Sequence, residues 1–277
     1  MLAGAVLYLK IYREKTYFEM KEILPKLFLV IIGVPLFLLG CPAAVALADA
    51  NGLQEDSQIK IKTTLRGVTE SDIGRVRKEA GKGLHAIPLI LGFEFKEKII
   101  IEIVDNGICR TTPDEHIIFL PLWHIKNRRA AIIHEVSHAI VRRHENSSFF
   151  SEGLAEFFQV KFGEDTAGAA YYGEPLHLSL DDLVIKHRDN LIPLADLKNN
   201  NDVYLPIDQE KRKLAYIEAG SFVNFLYEIH GERKLQDLYG SETLNYERVY
   251  GKNVEELEVE WLKFVVREQS LKVSGAD

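Results

Sequence analysis

Two histidines four positions apart carry the clearest chemical signal in the sequence. Residues 131–141 read AIIHEVSHAIV and contain the pattern His-Glu-x-x-His. On a helix, His134 and His138 lie one turn apart on the same face, so both imidazoles can bind one Zn²⁺ ion. Glu135 lies about 100° round the helix, where its carboxylate can take a proton from a water that the metal activates. The pattern therefore predicts a hydrolytic zinc site.

The surroundings of this pattern are uncharged and mostly apolar. They indicate a buried helix whose three polar side chains face a cleft. The alternative is an ordinary core helix with two hydrogen-bonded histidines, and the pattern alone leaves it open. A catalytic zinc site also needs a third protein ligand and keeps one position for water.

A second helix offers that third ligand. The run SEGLAE at 151–156 begins thirteen residues after His138. It resembles the gluzincins, zinc peptidases whose third ligand is a glutamate, which include the thermolysin-like peptidases and the zinc aminopeptidases. The resemblance implies that Glu152 is the third ligand and that Glu156, one turn further on, orients a zinc-bound histidine. Two alternatives stay open: a solvated face of an amphipathic helix, and Glu156 as the ligand.

A competing third ligand is His144, which lies at the spacing of the metzincin pattern HExxHxxGxxH. That pattern needs a glycine where this chain has Val141, because the chain must turn there to bring the last histidine to the metal. Arg142 and Arg143 also indicate an exposed helix end. The sequence favours Glu152 over His144.

A tyrosine later in the chain is the candidate that stabilises the oxyanion. The segment YIEAGS at 216–221 resembles an aminopeptidase segment in which a tyrosine hydroxyl stabilises the tetrahedral oxyanion beside zinc. A phenol suits this role because its hydrogen bond strengthens as negative charge develops. Tyr216 as a buried helix aromatic is the alternative. Other candidates for the role have no motif: Tyr171, Tyr172, Tyr204 and His177.

The resemblance extends over residues 98–264, because AYIEAGSFVNFLYEIHGERKL and GKNVEELEVEWLKFV resemble the C-terminal half of the peptidase-MA-like domains, compact gluzincins of bacteria. It implies an α+β, zincin (thermolysin-like) fold with a small N-terminal mixed sheet, an active-site helix and a helical C-terminal half. Residues 107–120 lack the Gly-x-Met-Glu-Asn strand with which the aminopeptidases hold the free amine of the substrate. Its absence argues against aminopeptidase specificity and leaves endopeptidase action or an unusual specificity open. Residues 116–120 are expected to form an edge strand that pairs with an extended substrate.

Hydrophobic periodicity also indicates an α+β fold, because the predicted strands come early in the chain and most of the predicted helices come late. Capping residues, glycine stops and apolar spacing predict the boundaries. The predicted strands are 59–65, 99–104 and 116–120, and the predicted helices are 69–91, 128–143, 151–162, 211–230 and 254–268.

The N-terminal 48 residues differ from the rest of the chain. Residues 24–48 carry no charge after Lys26, which predicts a signal peptide cleaved after Ala48 or an uncleaved membrane helix. A start at Met20 would give a signal peptide of ordinary length. Cys41 follows a lipobox-like Leu-Leu-Gly, so membrane association through the leader or through a lipidated Cys41 stays open. Each alternative predicts a secreted, periplasmic or cell-envelope protein.

Bulk composition bounds the remaining possibilities. The chain has 277 residues, 47% of them apolar, which suits a folded domain with a core of its own. A net charge of -7 argues against nucleic acid as a partner, and two cysteines cannot form a disulfide framework. Cys109 is expected to be buried and inert. The predicted organisation is a leader at 1–48, a linker at 49–57, one metallopeptidase-like domain at 58–268 and a tail at 269–277.

These observations predict a secreted or envelope-associated zinc peptidase that binds one Zn²⁺ ion and acts on a peptide or protein substrate. Two alternatives stay open. One is a non-catalytic envelope protein that uses a zincin fold for binding or assembly. The other is a zinc hydrolase that acts on a non-peptide amide, because the sequence does not define the substrate pocket.

Overall fold

The computed structural model describes residues 57–142, 148–164, 179–204 and 208–274. Within this part of the chain, no helix is both long enough and apolar enough to cross a membrane. Several predictions lie outside the described residues: the leader at 1–48 with Met20 and Cys41, the linker up to residue 56, His144, Tyr171, Tyr172 and His177.

A four-stranded mixed sheet forms the N-terminal part of the described chain. Its strands are β1 (Ile59–Lys62), β2 (Ile99–Val104), β3 (Arg110–Thr112) and β4 (Ile117–Pro121), in the spatial order β1-β2-β4-β3. The first, second and fourth strands run parallel, and β3 runs antiparallel to β4. Every second residue of β2 is buried, which places one face of the sheet against the core.

The prediction that residues 116–120 form an edge strand is wrong. Residues 117–121 form β4, which pairs with β2 on one side and with β3 on the other. The two edge strands are β1 and β3. The second of these is a three-residue Arg-Thr-Thr strand without hydrophobic alternation, so the sequence does not predict it. Periodicity identifies a strand, but it does not say which neighbours that strand has.

Helices make up most of the remaining described residues. One helix, α1, connects β1 to β2, and the others follow β4. They are α1 (Glu70–Leu91), α2 (Leu122–Lys126), α3 (Ile132–Ile140), α4 (Ser148–Phe162), α5 (Leu180–Lys186), α6 (Leu194–Asn199), α7 (Gln209–His230), α8 (Glu232–Tyr239), α9 (Tyr246–Tyr250) and α10 (Val254–Ser274).

Helix ends agree with the sequence prediction where a local signal exists. Thr69 and Asp72 form a capping box at the start of α1, and Gly92 ends the helix with a left-handed φ of 70°. The prediction was too long for α3, because Arg128 has a positive φ of 54° and Val141 is extended. It was too short for α10, which continues to Ser274 through the residues predicted as a tail.

Two glycines allow α4 and α7 to approach closely. A Cβ added at Gly153 would lie 2.7 Å from the Ala219 carbonyl oxygen. A Cβ added at Gly220 would lie 2.7 Å from both Glu156 Cβ and Leu180 Cδ1. Any side chain at either position would push the helices apart, because packed cores do not absorb such overlaps. These glycines therefore set the distance between the helix of Glu156 and the helix of Tyr216.

Replacing Gly220 with Ala is expected to lower the free energy of unfolding by about 1–3 kcal/mol, since the new methyl group has no space. Gly74 is the matched control: it is an exposed glycine on α1, and a Cβ added there meets nothing within 4 Å. Gly74→Ala should raise the free energy of unfolding by roughly 0.5–1 kcal/mol, because alanine favours the helix. Urea unfolding midpoints measure both, and an unchanged midpoint in Gly220→Ala would contradict the packing argument.

Candidate metal centre

The structure brings the three predicted ligands together. His134 Nε2 lies 3.0 Å from His138 Nε2, and Glu152 Oε2 lies 3.4 Å and 3.1 Å from these two nitrogens. His134 is buried, whereas His138 and Glu152 are half-buried. The cluster therefore lies at the edge of the core, with two of its three side chains partly open to solvent.

These spacings match a tetrahedral zinc site. Ligand atoms at 2.0–2.1 Å from a tetrahedral zinc ion would be separated from one another by about 3.3–3.4 Å. Two imidazole nitrogens and one carboxylate oxygen also suit zinc, whereas magnesium and calcium prefer oxygen ligands throughout. Among the described residues this is the one group of three or more histidine, cysteine or acidic side chains with such spacing. The donor set therefore fits one zinc ion, with a fourth position left over.

The first turn of α3 is held by a side chain from α4. Ala131, the residue before α3, provides no side-chain cap. Instead, the backbone N–H of His134 donates to Gln159 Oε1 at 3.1 Å, and the Gln159 amide in turn donates to buried Glu79 at 3.4 Å. Unsatisfied N–H groups at a helix start need such acceptors. Gln159 therefore ties the two helices that carry the candidate ligands.

Charge is balanced within the cluster. Burial opposes a charge on His134, but hydrogen bonds and the charges of Glu152 and Glu156 raise the pKa of this imidazole well above its usual value. Burial also opposes ionisation of Glu152, yet the neighbouring His138 and His134 hold the pKa of its carboxyl well below its usual range. The acidic side chains around His134 therefore favour a positive charge at this position.

Glu156 lies on the far side of the His134 ring. Its Oε1 is 3.0 Å from His134 Nδ1, so it contacts the nitrogen opposite to the one that faces the cluster. Glu156 is buried on α4, one turn after Glu152. A carboxylate in this place fixes the tautomer and the orientation of a metal-binding imidazole.

Glu135 lies on α3, and its side chain is buried against β3. The hydroxyl of Thr111 on β3 lies 2.6 Å from Glu135 Oε2 and 3.1 Å from the Glu135 carbonyl oxygen. This partner was not predicted, because β3 itself was not. The Glu135 carboxylate therefore has a defined orientation.

Tyr216 lies beside the cluster. Its ring stacks on the His134 ring with centroids 6.1 Å apart, and the Arg212 guanidinium donates to its hydroxyl at 3.2 Å. Burial and the negative charge of Glu152 raise the pKa of Tyr216 above its usual value. The phenol therefore keeps its proton and can donate it in a hydrogen bond.

Tyr204 is the second tyrosine candidate that the structure describes. Its ring lies 5.6 Å from the Tyr216 ring, and its buried hydroxyl has no hydrogen-bond partner among the described residues. Burial and the Glu152 charge also raise the pKa of Tyr204 above its usual value. Both tyrosines thus remain candidates for a hydrogen-bond donor near the three candidate ligands.

Cys109 is half-buried rather than fully buried as predicted. Burial, with the charge of nearby Glu135, raises the pKa of its thiol to about 12. The thiolate is the reactive form of cysteine, so this side chain is a poor nucleophile at neutral pH.

Gln159 and Arg212 are further polar residues of the site that the sequence interpretation missed. Gln159 had a signal, because it lies seven residues after Glu152 and three after Glu156, on the same helix face. Arg212 likewise lies one turn before Tyr216 on α7. Thr111 had no such signal, because its contact with Glu135 depends on a strand pairing between distant residues.

Comparison with known proteins gives no relative. No protein-family model matches the chain, and searches of curated proteins and of solved structures found no significant match.

A buried carboxyl in the helical half affects stability rather than the metal cluster. Glu218 on α7 is fully buried, and both of its carboxylate oxygens accept the Ile192 backbone N–H, at 3.0 and 3.2 Å. Burial, opposed by this hydrogen bond and reinforced by the charge of Glu258, raises the pKa of Glu218 to about 8. The folded chain therefore holds this proton at a pH where the unfolded chain has released it.

The free energy of unfolding is expected to fall as pH rises from about 4.5 to 8, because the unfolded state binds fewer protons at Glu218 in this interval. The contribution over the whole interval is on the order of 5 kcal/mol. Glu218→Gln should remove it and flatten the pH profile, measured by urea unfolding in EDTA so that metal loss has no effect. Glu210→Gln, at an exposed position of the same helix, should not. Equal slopes in the two variants would contradict the assignment.

Proposed function

We propose that this chain is a zinc-dependent peptidase whose metal ligands are His134, His138 and Glu152. The observation that carries the proposal is the mutual spacing of 3.0–3.4 Å between the three ligand atoms. Glu135, which lies between the two histidines in the sequence, adds the carboxylate base that hydrolysis needs. A zinc site with a purely structural role has no use for that base, which favours an enzyme over a binding or assembly protein.

In this proposal zinc, when bound, supplies positive charge that acidifies a water and polarises the scissile carbonyl. Glu135 accepts a proton from the attacking water. The same carboxyl then gives the proton to the leaving amine, so that one residue serves as base and as acid. Glu135 is buried beside β3, where the Thr111 hydroxyl contacts its carboxylate.

Tyr216 is proposed to stabilise the tetrahedral oxyanion. Its hydroxyl oxygen already accepts a hydrogen bond from Arg212, which leaves the phenol hydrogen for an anionic acceptor. The Arg212 charge also makes the phenol a stronger donor as negative charge develops. Tyr204 lies against the same ring and is the alternative donor.

The proposed substrate is an extended peptide that lies along β3, which is an edge strand of the sheet. An edge strand offers backbone groups that can pair with another extended chain. The hydroxyl of Thr111, on this strand, reaches Glu135, so a peptide added here would pass close to the base. The proposed location, outside the cytoplasm, rests on the apolar run at 24–48.

Cleavage of a peptide library by the full chain tests this proposal. Internally quenched peptides of mixed sequence are incubated with the protein, and the products are identified by mass spectrometry. We expect hydrolysis of peptide bonds that 1,10-phenanthroline stops and added zinc restores. A zinc-loaded chain that cleaves no peptide would contradict the proposal and favour a binding role or a non-peptide amide substrate.

A further inference from the structure

We infer that Thr111 is a positioning residue that holds the carboxylate of Glu135 in its working orientation. The inference rests on the proposed function and adds a residue that no motif marks. It comes from the contact between the edge strand and the active-site helix, and from the chemistry of a hydroxyl that faces a carboxylate.

The hydrogen of Thr111 goes to the carboxylate. Thr111 Oγ1 lies 2.6 Å from Glu135 Oε2 and 3.1 Å from the Glu135 carbonyl oxygen. A threonine hydroxyl has one hydrogen to donate, and 2.5–2.7 Å is the range of O–H···O⁻ hydrogen bonds to a charged acceptor. The shorter contact is therefore the hydrogen bond. It uses Oε2 and leaves Oε1 for the attacking water.

Strand pairing fixes where this donor lies. Thr111 pairs with buried Ile118 of β4, in the register that also pairs Arg110 with Phe119. Side chains alternate along a strand, so Arg110 points to the opposite face, where its guanidinium lies 4.0 Å from the Phe119 ring centroid. Threonine is branched at Cβ, which restricts its χ1 angle. The donor is therefore held by the strand rather than by a mobile side chain.

A fixed donor matters because a glutamate side chain is flexible. Without a partner, the Glu135 carboxylate would sample several rotamers, of which few face the attacking water. Misplacement of a reacting group by about 1 Å can cost on the order of 100-fold in rate. The hydrogen bonds of Thr111 go to Glu135 and not to the three candidate ligand atoms, so its loss should affect turnover and leave metal binding intact.

Three variants test the inference on the full chain, with a quenched peptide that the wild type cleaves. Thr111→Val removes the hydroxyl and keeps a branched strand residue. We expect kcat to fall about 10- to 100-fold with KM within about twofold and with one zinc ion per chain retained. Thr111→Ser, which restores the hydroxyl, should recover most of the lost turnover.

Thr63→Val is the matched control. It removes a hydroxyl from a half-buried threonine just after β1, at the other edge of the sheet, where the oxygen accepts the Leu65 backbone N–H at 3.1 Å. It should keep wild-type kcat. The inference is overturned if Thr111→Val turns over within twofold of the wild type, if Thr111→Ser is equally impaired, or if Thr63→Val loses as much.

Zinc content and the urea midpoint show whether each variant is folded. A Thr111→Val chain that is slow because it has unfolded or lost its zinc would overturn the inference, since Thr111 would then act on the fold. A wild-type chain that cleaves nothing would contradict the proposed function, and the role of Thr111 would fall with it. An active wild type with an equally active Thr111→Val chain would contradict the role of Thr111 alone.

Discussion

Replacing Glu135 with Gln is expected to lower kcat by about 10³-fold while one zinc ion stays bound. A glutamine has nearly the same shape, but its amide cannot accept the proton of the attacking water, and general acid–base catalysis contributes about 10²–10⁴ in rate. The metal should remain, because Glu135 contributes none of the three candidate ligand atoms, which lie 3.0–3.4 Å from one another. Peptide cleavage and metal content on the same preparation measure both expectations.

The control for this variant is Glu255→Gln, at an exposed position of α10, which should leave kcat and zinc content unchanged. If Glu135→Gln keeps most of its peptidase activity, Glu135 is not the base. If the variant loses its zinc instead, the carboxylate is part of the metal site and the assigned ligands are wrong.

Glu152→Gln is expected to remove stoichiometric zinc, whereas Glu156→Gln should retain it with roughly 10- to 100-fold weaker affinity. Glu152 Oε2 lies within 3.4 Å of both histidine nitrogens that face the cluster, and an amide oxygen is a poor zinc ligand. Glu156 contacts only the outer nitrogen of His134, so its loss would disturb the ring without removing a ligand. Zinc titration of the two variants measures the difference.

The melting temperatures of Glu152→Gln and Glu156→Gln in the presence of zinc also distinguish the roles of the two glutamates. A ligand that binds only the folded state raises the free energy of unfolding, by about 2.7 kcal/mol at a hundred times its Kd. Added zinc should therefore raise the melting temperature of the wild type and of Glu156→Gln, but not that of Glu152→Gln. The opposite order would make Glu156 the third ligand.

The parts of the site that were predictable depend on local periodicity. His134 and His138 share a helix face because four residues are about one turn, and no tertiary information is needed for that inference. Glu152 was placed through a resemblance, and in the structure it contacts both histidines. The capping box of Thr69 and Asp72 set the start of α1 for the same local reason.

The parts that were not predictable depend on contacts between distant segments. The pairing of β3 with β4 makes β3 an edge strand and brings Thr111 to Glu135. A strand of three residues is too short to show hydrophobic alternation, so the sequence does not reveal it. The contact between α4 and α7 depends on Gly153 and Gly220, whose role appears only when the helices meet. Spacing and resemblance identify the candidate ligands and Glu156, whereas only tertiary packing brings Thr111 to Glu135.

Anomalous diffraction at the zinc absorption edge, on crystals of the zinc-loaded chain, would locate the metal directly. We expect one strong peak about 2.0–2.1 Å from His134 Nε2, His138 Nε2 and a carboxylate oxygen of Glu152. A peak bound by other residues, or no peak at this cluster in protein grown with zinc, would contradict this expectation.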